Sequence, residues 1–456
     1  MLLRKEVDLA RYYKPLTICR TIKNHIHLPM KGKFMLRQIS YVFTFVIFIS
    51  SVLSAADWQA FRGPKGDGKS PDTGLLQKWS DGGPKLLWTA DFVGFGYSSV
   101  AIADDRIYIT GNAEREGKEF SMVFCLDKNG KEIWAADNGP AHTTARSYPG
   151  TRGTPTIDGD CVYDVSPLGE VACFNAKNGD KIWSRNIMTE YEAPMPRWFL
   201  GNAVFVDGDL VICPLGGPKH FAVALDKKTG KTVWAADPIK DPSETKTGYT
   251  TPYLFEFEGI RVVIVMSDST VEGLDPKTGK TFFSIPWKND RTVNATMPIY
   301  RDGNLFLSTG YGFGSKMFKL TKNPDSTISA TEVWYEASFD NQHGGVILVG
   351  DYVYGSTQRG NWGAIHFMTG KIGYLGRVNG IGQGSIHYAD GLLYCLSEDG
   401  KTVILTKPEP KEFIELSRFE LPNDATGKSW AHPVVLDGKL YLRHAQYLYC
   451  YDVKAE

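Results

Sequence analysis

The stretch "ALDKKTGKTVW", Ala224 to Trp234, decides how the rest of the chain is read. It resembles a cofactor signature: an acid, a Thr-Gly pair, three lysines and a tryptophan. But it recurs. "CLDKNGKEIW" ends at Trp134, "CFNAKNGDKIW" at Trp183 and "GLDPKTGKTFF" at Phe283. Weaker echoes end at Trp334, Tyr374 and Phe419, so successive copies lie 40 to 51 residues apart. A period of that size is one four-stranded propeller blade. The phrase then parses as structure. Asp226 ends a third strand and accepts hydrogen bonds from the turn that it opens. Gly230 supplies positive φ, and Trp234 buries its ring against the next blade, removing about 150–250 Å² from water.

A second signature precedes each copy: a small residue, an apolar pair, a turn and another apolar strand. It starts at Ser98, Gly153, Gly201, Thr250, Thr296, Gly344, Gly384 and Ala431, which predicts eight blades. The eighth unit runs out at "YLYCYDV" without an aromatic outer strand, whereas "PKLLWTAD" with Trp88 stands unpartnered near the other end. An N-terminal strand that closes the ring leaves no open sheet edge. The expected fold is therefore all-β: an eight-bladed β-propeller of four-stranded antiparallel blades over 86–454, closed around Trp88. A monomer is expected.

Composition agrees. The 456 residues are 42% hydrophobic with 47 Gly and 24 Pro, and no long stretch carries a helical period. The formal charge is zero, but residues 1–56 hold nine Lys/Arg against Glu6 and Asp8, leaving 42 basic and 49 acidic groups beyond them. An acidic body excludes nucleic acid, whose phosphates demand a basic face. Arg37, the apolar run Tyr41 to Leu53 and the small residues Ser54-Ala55-Ala56 read as a signal peptide over 35–56. Export to the periplasm or beyond is expected, with no stable membrane span after its removal and no lipobox cysteine. Residues 1–34 read as an upstream extension, consistent with a start at Met35, and 57–85 as an N-terminal arm.

Cys125, Cys173 and Cys450 fill the slot taken by Ala224 and Gly273, while Cys161, Cys213 and Cys395 fall in second strands. All six are expected as small core residues. "STGYGFGS", Ser308 to Ser315, lacks the lysine and helix of a phosphate loop and reads as a hairpin.

Function is sought in what the repeat leaves over. "HTTARSYPGTRG" offers His142, Arg146, Tyr148 and Arg152, and "YEAPMPRWFLGN" offers Tyr191, Arg197 and Trp198. "DNQHGG" adds Gln342 and His343, "RGNW" Arg359 and Trp362, and "SWAHP" Trp430 and His432. Each leads into or lies near an innermost strand, so convergence on one channel mouth is expected. Arg146, Tyr148, Arg152, Arg197, Trp198, Gln342, His343, Trp362, Trp430 and His432 form the candidate ligand-binding set. Arginine with aromatic rings suits carboxylates and sugar faces; the alternative is packing between blades. A metal pair of His343 and His432 lacks a neighbouring carboxylate in sequence, and no Ser-His-Asp set is identifiable.

The repeats, the arm "DWQAFRGPKGDG" (Asp57 to Gly68) and "WAHPV" resemble the pyrroloquinoline-quinone-like propeller repeat family over residues 57–454. That family holds quinoprotein alcohol dehydrogenases and an outer-membrane assembly lipoprotein. The resemblance implies the fold, and either quinone-dependent oxidation with Ca²⁺ or scaffolding in the envelope. The chain departs from the dehydrogenases: it has no adjacent cysteine pair and no CxxCH haem site. Three readings follow: a binding or scaffold protein for an envelope protein or a small extracellular ligand, a dehydrogenase using pyrroloquinoline quinone (PQQ), and a carbohydrate-binding or carbohydrate-acting propeller. No cofactor is assigned.

Overall fold

The computed structural model describes residues 57–239, 245–422 and 425–456. The expected extension and signal peptide lie outside them. Eight four-stranded antiparallel sheets stand in a ring, as the repeat predicts. Blades 1 to 7 span 101–140, 156–186, 205–235, 253–286, 299–336, 346–377 and 384–420. Blade 8 takes three strands from 434–452 and its outermost from Lys85–Ala90, which pairs with Tyr447–Asp452 and sets Trp88 opposite Cys450. The ring closes where expected.

A β-bulge after Ala224 puts Trp234 directly opposite that small residue. The same register sets Trp134 against Cys125, Trp183 against Cys173 and Phe283 against Gly273. Except in blade 5, where Trp334 faces Met317, the ring of these blades faces a small residue; a Cβ on Gly273 would stand 2.2 Å from the Phe283 ring. This explains the cysteines of the slot. All six described cysteines are free, five buried and Cys161 half-buried.

Five of the eight seams are then locked from the next blade. Trp88, Trp134, Trp183, Trp234 and Trp334 donate their indole N–H to the carbonyls of Lys128, Ala176, Lys227, Pro276 and Phe367. The rings lie on turn glycines; at Gly230 (φ 69°) a Cβ would meet Trp183 at 2.8 Å. Asp226 Oδ1 accepts the N–H groups of Lys228 and Thr229 and the Thr229 hydroxyl, the Asx turn expected. The 308–315 stretch is the expected hairpin.

Blade 7 departs from the pattern. Its register sets Ser417, not Phe419, in the aromatic slot opposite Leu405, while Phe419 falls opposite Val403. Trp79, from the arm, fills the gap. Its backbone N–H donates to Ser417 Oγ at 3.0 Å, and its ring meets Phe419 edge-on at 5.1 Å.

The arm also crosses the axis. Trp58 pairs with Ile102, Gln59 accepts from Ile157, and Gly68 and Ser70 bond Tyr388, so the inner strands of blades 1, 2 and 7 are tied together. Arg62 lies at its centre, 4% exposed. It donates to the carbonyls of Val346 (2.5 Å) and Asp67 (3.1 Å), and to His432 Nδ1 (3.2 Å).

Candidate functional site

The connections that carry the chain from one outer strand to the next inner strand run over one face of the ring. All eight contribute to a single cavity of about 370 Å³. Its lining includes Tyr97 before blade 1, Tyr148 and Arg152 before blade 2, and Trp198 before blade 3. Tyr249, Val293, Gln342 with His343, and Gln383 follow, and Lys428, Trp430 and His432 complete the circuit. Phe61 of the arm forms part of the wall, set edge-on to His432 at 5.0 Å. The volume lies at the lower end of the range of small-molecule pockets.

Of the ten residues singled out in the sequence, Tyr148, Arg152, Trp198, Gln342, His343, Trp430 and His432 meet in this lining. Arg146 lies in the short 3₁₀ turn Ala145–Ser147. Arg197 is outside the lining, with its guanidinium 4.8 Å from the centre of the Trp198 ring. Trp362 is away from the mouth. It lies in the third strand of blade 6, 2% exposed, and donates to the Gly382 carbonyl at 2.7 Å, sealing blade 6 to blade 7. Among the other loop residues, His142 stacks on Phe199 at 3.8 Å, Tyr191 meets His220 edge-on, and Arg359 is exposed.

The aromatic wall is continuous. Trp430 is 4.7 Å from Tyr97, 4.9 Å from Tyr148 and 5.6 Å from His343, and Tyr148 reaches Trp198 at 5.8 Å. Tyr148 is 41% exposed and holds φ 52°. A non-glycine residue in that region is strained, and such strain concentrates at binding sites. Tyr311 holds φ 64° and receives a hydrogen bond from Gln342 Nε2 at 2.8 Å.

Glu398, not foreseen from sequence, is the carboxylate of the mouth. Lys428 Nζ donates to its Oε2 at 2.7 Å and Trp430 Nε1 to its Oε1 at 3.0 Å, and His343 Nε2 stands 3.6 Å away. Burial pushes this carboxyl up, but the attraction of His343, which is charged only at acid pH, and the bonds from Lys428, Gln383 and Trp430 outweigh it and hold it below its ordinary value. Burial drives His343 down to about 4 and His432 well below its ordinary value, so both rings are neutral at pH 7. His432 Nδ1 accepts from Arg62, which leaves Nε2 as the donor to the His343 carbonyl at 3.2 Å. Neither nitrogen keeps a lone pair for a metal. Among the described residues no group of three or more His, Cys, Asp or Glu is placed to hold an ion.

The donor set does not fit the quinone with its Ca²⁺. Calcium takes six to eight oxygen ligands, several of them carboxylates. This lining offers one carboxylate, already paired with Lys428, and places Arg152 in the same cavity. The six described cysteines are free and none lines the cavity.

Fold and mouth together define a closed eight-bladed propeller with a loop-built axial pocket. The family model described as outer membrane protein assembly factor BamB matches residues 70–195 and 119–374, and the chain belongs to that family of pyrroloquinoline-quinone-like repeats. The quinohemoprotein alcohol dehydrogenase ADH-IIG of Pseudomonas putida is 25% identical over 199 residues, 40% of this chain and 25% of that protein. The chain thus matches about a quarter of that relative's length. Among solved structures, the quinohemoprotein alcohol dehydrogenase of Comamonas testosteroni superposes with TM-score 0.58 at 13% identity, covering 89% of this chain and 82% of that one. BamB of Moraxella catarrhalis gives 0.52 at 15%, covering 81% and 99%. Both likenesses are of fold. No helix among the described residues is long and apolar enough to cross a membrane.

Proposed function

We propose that the chain is an exported binding propeller that holds a small, polar, ring-bearing ligand, a saccharide, in the mouth cavity. One observation carries this reading. A continuous aromatic wall surrounds a lining that also carries Arg152, Gln342, Gln383, Glu398 and Lys428. A sugar suits such a lining: a flat C–H face for the rings and hydroxyls for the amide and charged side chains. Kinship with an outer membrane assembly factor supports a place in the cell envelope. Catalysis through PQQ is disfavoured by the donor set described above.

The test is a fluorescence titration of purified protein with mono- and disaccharides, and separately with PQQ plus Ca²⁺. Saturable binding of a saccharide, lost in Trp198→Ala, is expected. Stoichiometric quinone uptake with dye-linked alcohol oxidation overturns the reading.

A further inference from the structure

The charges of the mouth do not balance. Glu398 and Lys428 neutralise one another at 2.7 Å. His432 is held between Arg62 and the His343 carbonyl, as a neutral ring must be to accept and donate at once. Arg152 remains. Among the described residues no carboxylate lies within ion-pair distance of it. Its Nη2 donates to two backbone carbonyls, Ser147 at 2.7 Å and Tyr148 at 2.5 Å, and its Nη1 is buried without a partner. The Tyr97 ring lies 5.6 Å from the guanidinium, bracing its plane. A buried charge with no counter-ion is costly, and burial lowers this guanidinium to about 10.

We infer that the cavity selects a sugar acid, whose single carboxylate is received by Arg152 while its ring lies on the aromatic wall. This rests on the cavity being the binding site proposed above. Among the side chains that line the cavity, Arg152 is the one cation without an acidic partner, which matches one negative charge, a carboxylate rather than a phosphate dianion. Arg152, on the cavity lining, supplies the charge that receives it. Glu398, Gln342 and Gln383, on the cavity lining, meet the ring hydroxyls.

The experiment titrates the intact protein with a glucuronate-containing disaccharide, the corresponding neutral glucose disaccharide and 4-hydroxybenzoate, a carboxylate on a ring that is not a sugar. The acidic disaccharide is expected to bind about 10- to 100-fold more tightly than the neutral one, the scale of a hydrogen bond to a charged group. Arg152→Gln is expected to erase that preference, and Arg152→Lys, which keeps the charge and loses the fork, to retain part of it. Thermal melts of both variants report whether the loop stays folded. Equal binding of acidic and neutral sugars, or a preference that survives Arg152→Gln, overturns the inference and leaves the saccharide site standing. Binding of 4-hydroxybenzoate as tight as that of the sugar acid overturns the sugar assignment. Failure of every sugar to bind overturns the site itself.

Discussion

Tryptophans do opposite work at the rim and at the mouth. At the rim, Trp134 and Trp234 are 7% and 8% exposed, and each indole N–H is spent on a carbonyl of the next blade. At the mouth, Trp198 and Trp430 are half-buried, and their faces line open space. Trp430 spends its N–H on Glu398 and so aligns a carboxylate rather than a seam. The same residue type ties blade to blade where its indole N–H meets the next blade, and at the mouth it presents a face to open space, where recognition is proposed. Repetition marks the first role and its absence marks the second.

Breaking a seam is expected to have the largest effect. Trp234→Ala empties a buried slot and costs about 3–5 kcal/mol, read as a fall in the midpoint of urea unfolding. Trp79→Ala is expected to cost as much, although Trp79 lies outside the repeat, because it is 3% exposed in the equivalent place of blade 7. A loss below about 1 kcal/mol would show that the arm does not complete that seam.

A pH effect comes next, between blades 1 and 2. Burial raises the Asp164 carboxyl from 3.8 to about 7, against a hydrogen bond from Asn138 Nδ2 at 2.8 Å. The folded state therefore keeps this proton at pH values where the unfolded chain has lost it, and stability from this group falls as pH rises from about 4 to 7. Asp164→Asn should remove that slope and gain about 1–4 kcal/mol at pH 8, measured as the difference between the two melting curves across that range. Equal slopes in both proteins would refute the burial argument.

Arg62→Met removes the donor that ties the arm to Val346 and His432, at about 1–3 kcal/mol, and should speed proteolysis of the arm. Smallest of all is Trp198→Ala. Its stability cost is expected within about 0.5 kcal/mol, with saccharide binding lost. A large fall in melting temperature there would erase the distinction between rim and mouth.

Much of this was legible in residue order. The mouth loops were found as the segments that the repeat does not explain, and seven of their residues meet in one cavity. Trp362 misleads because "RGNW" runs straight into a third strand, where the ring faces the next blade. Glu398 hid among turn acids, yet "SEDG" has two acids where the repeat uses one. Asp399 caps that turn, accepting from Ser397 Oγ and Lys401 N, which frees Glu398 for the mouth.

The sequence by itself determined the blade count, the closing strand, the small residues opposite the rings and the loops that hold the site, because each follows from local turn chemistry and a period of burial. Tertiary structure decided which of those loop residues face one another. Trp79 reaches blade 7 over 338 residues of chain to bond Ser417, and Arg62 reaches His432 over 370. Glu398, Lys428 and Arg152 become one charge balance only when the ring closes. Contacts that join distant segments at an axis leave no periodic trace in the order of residues.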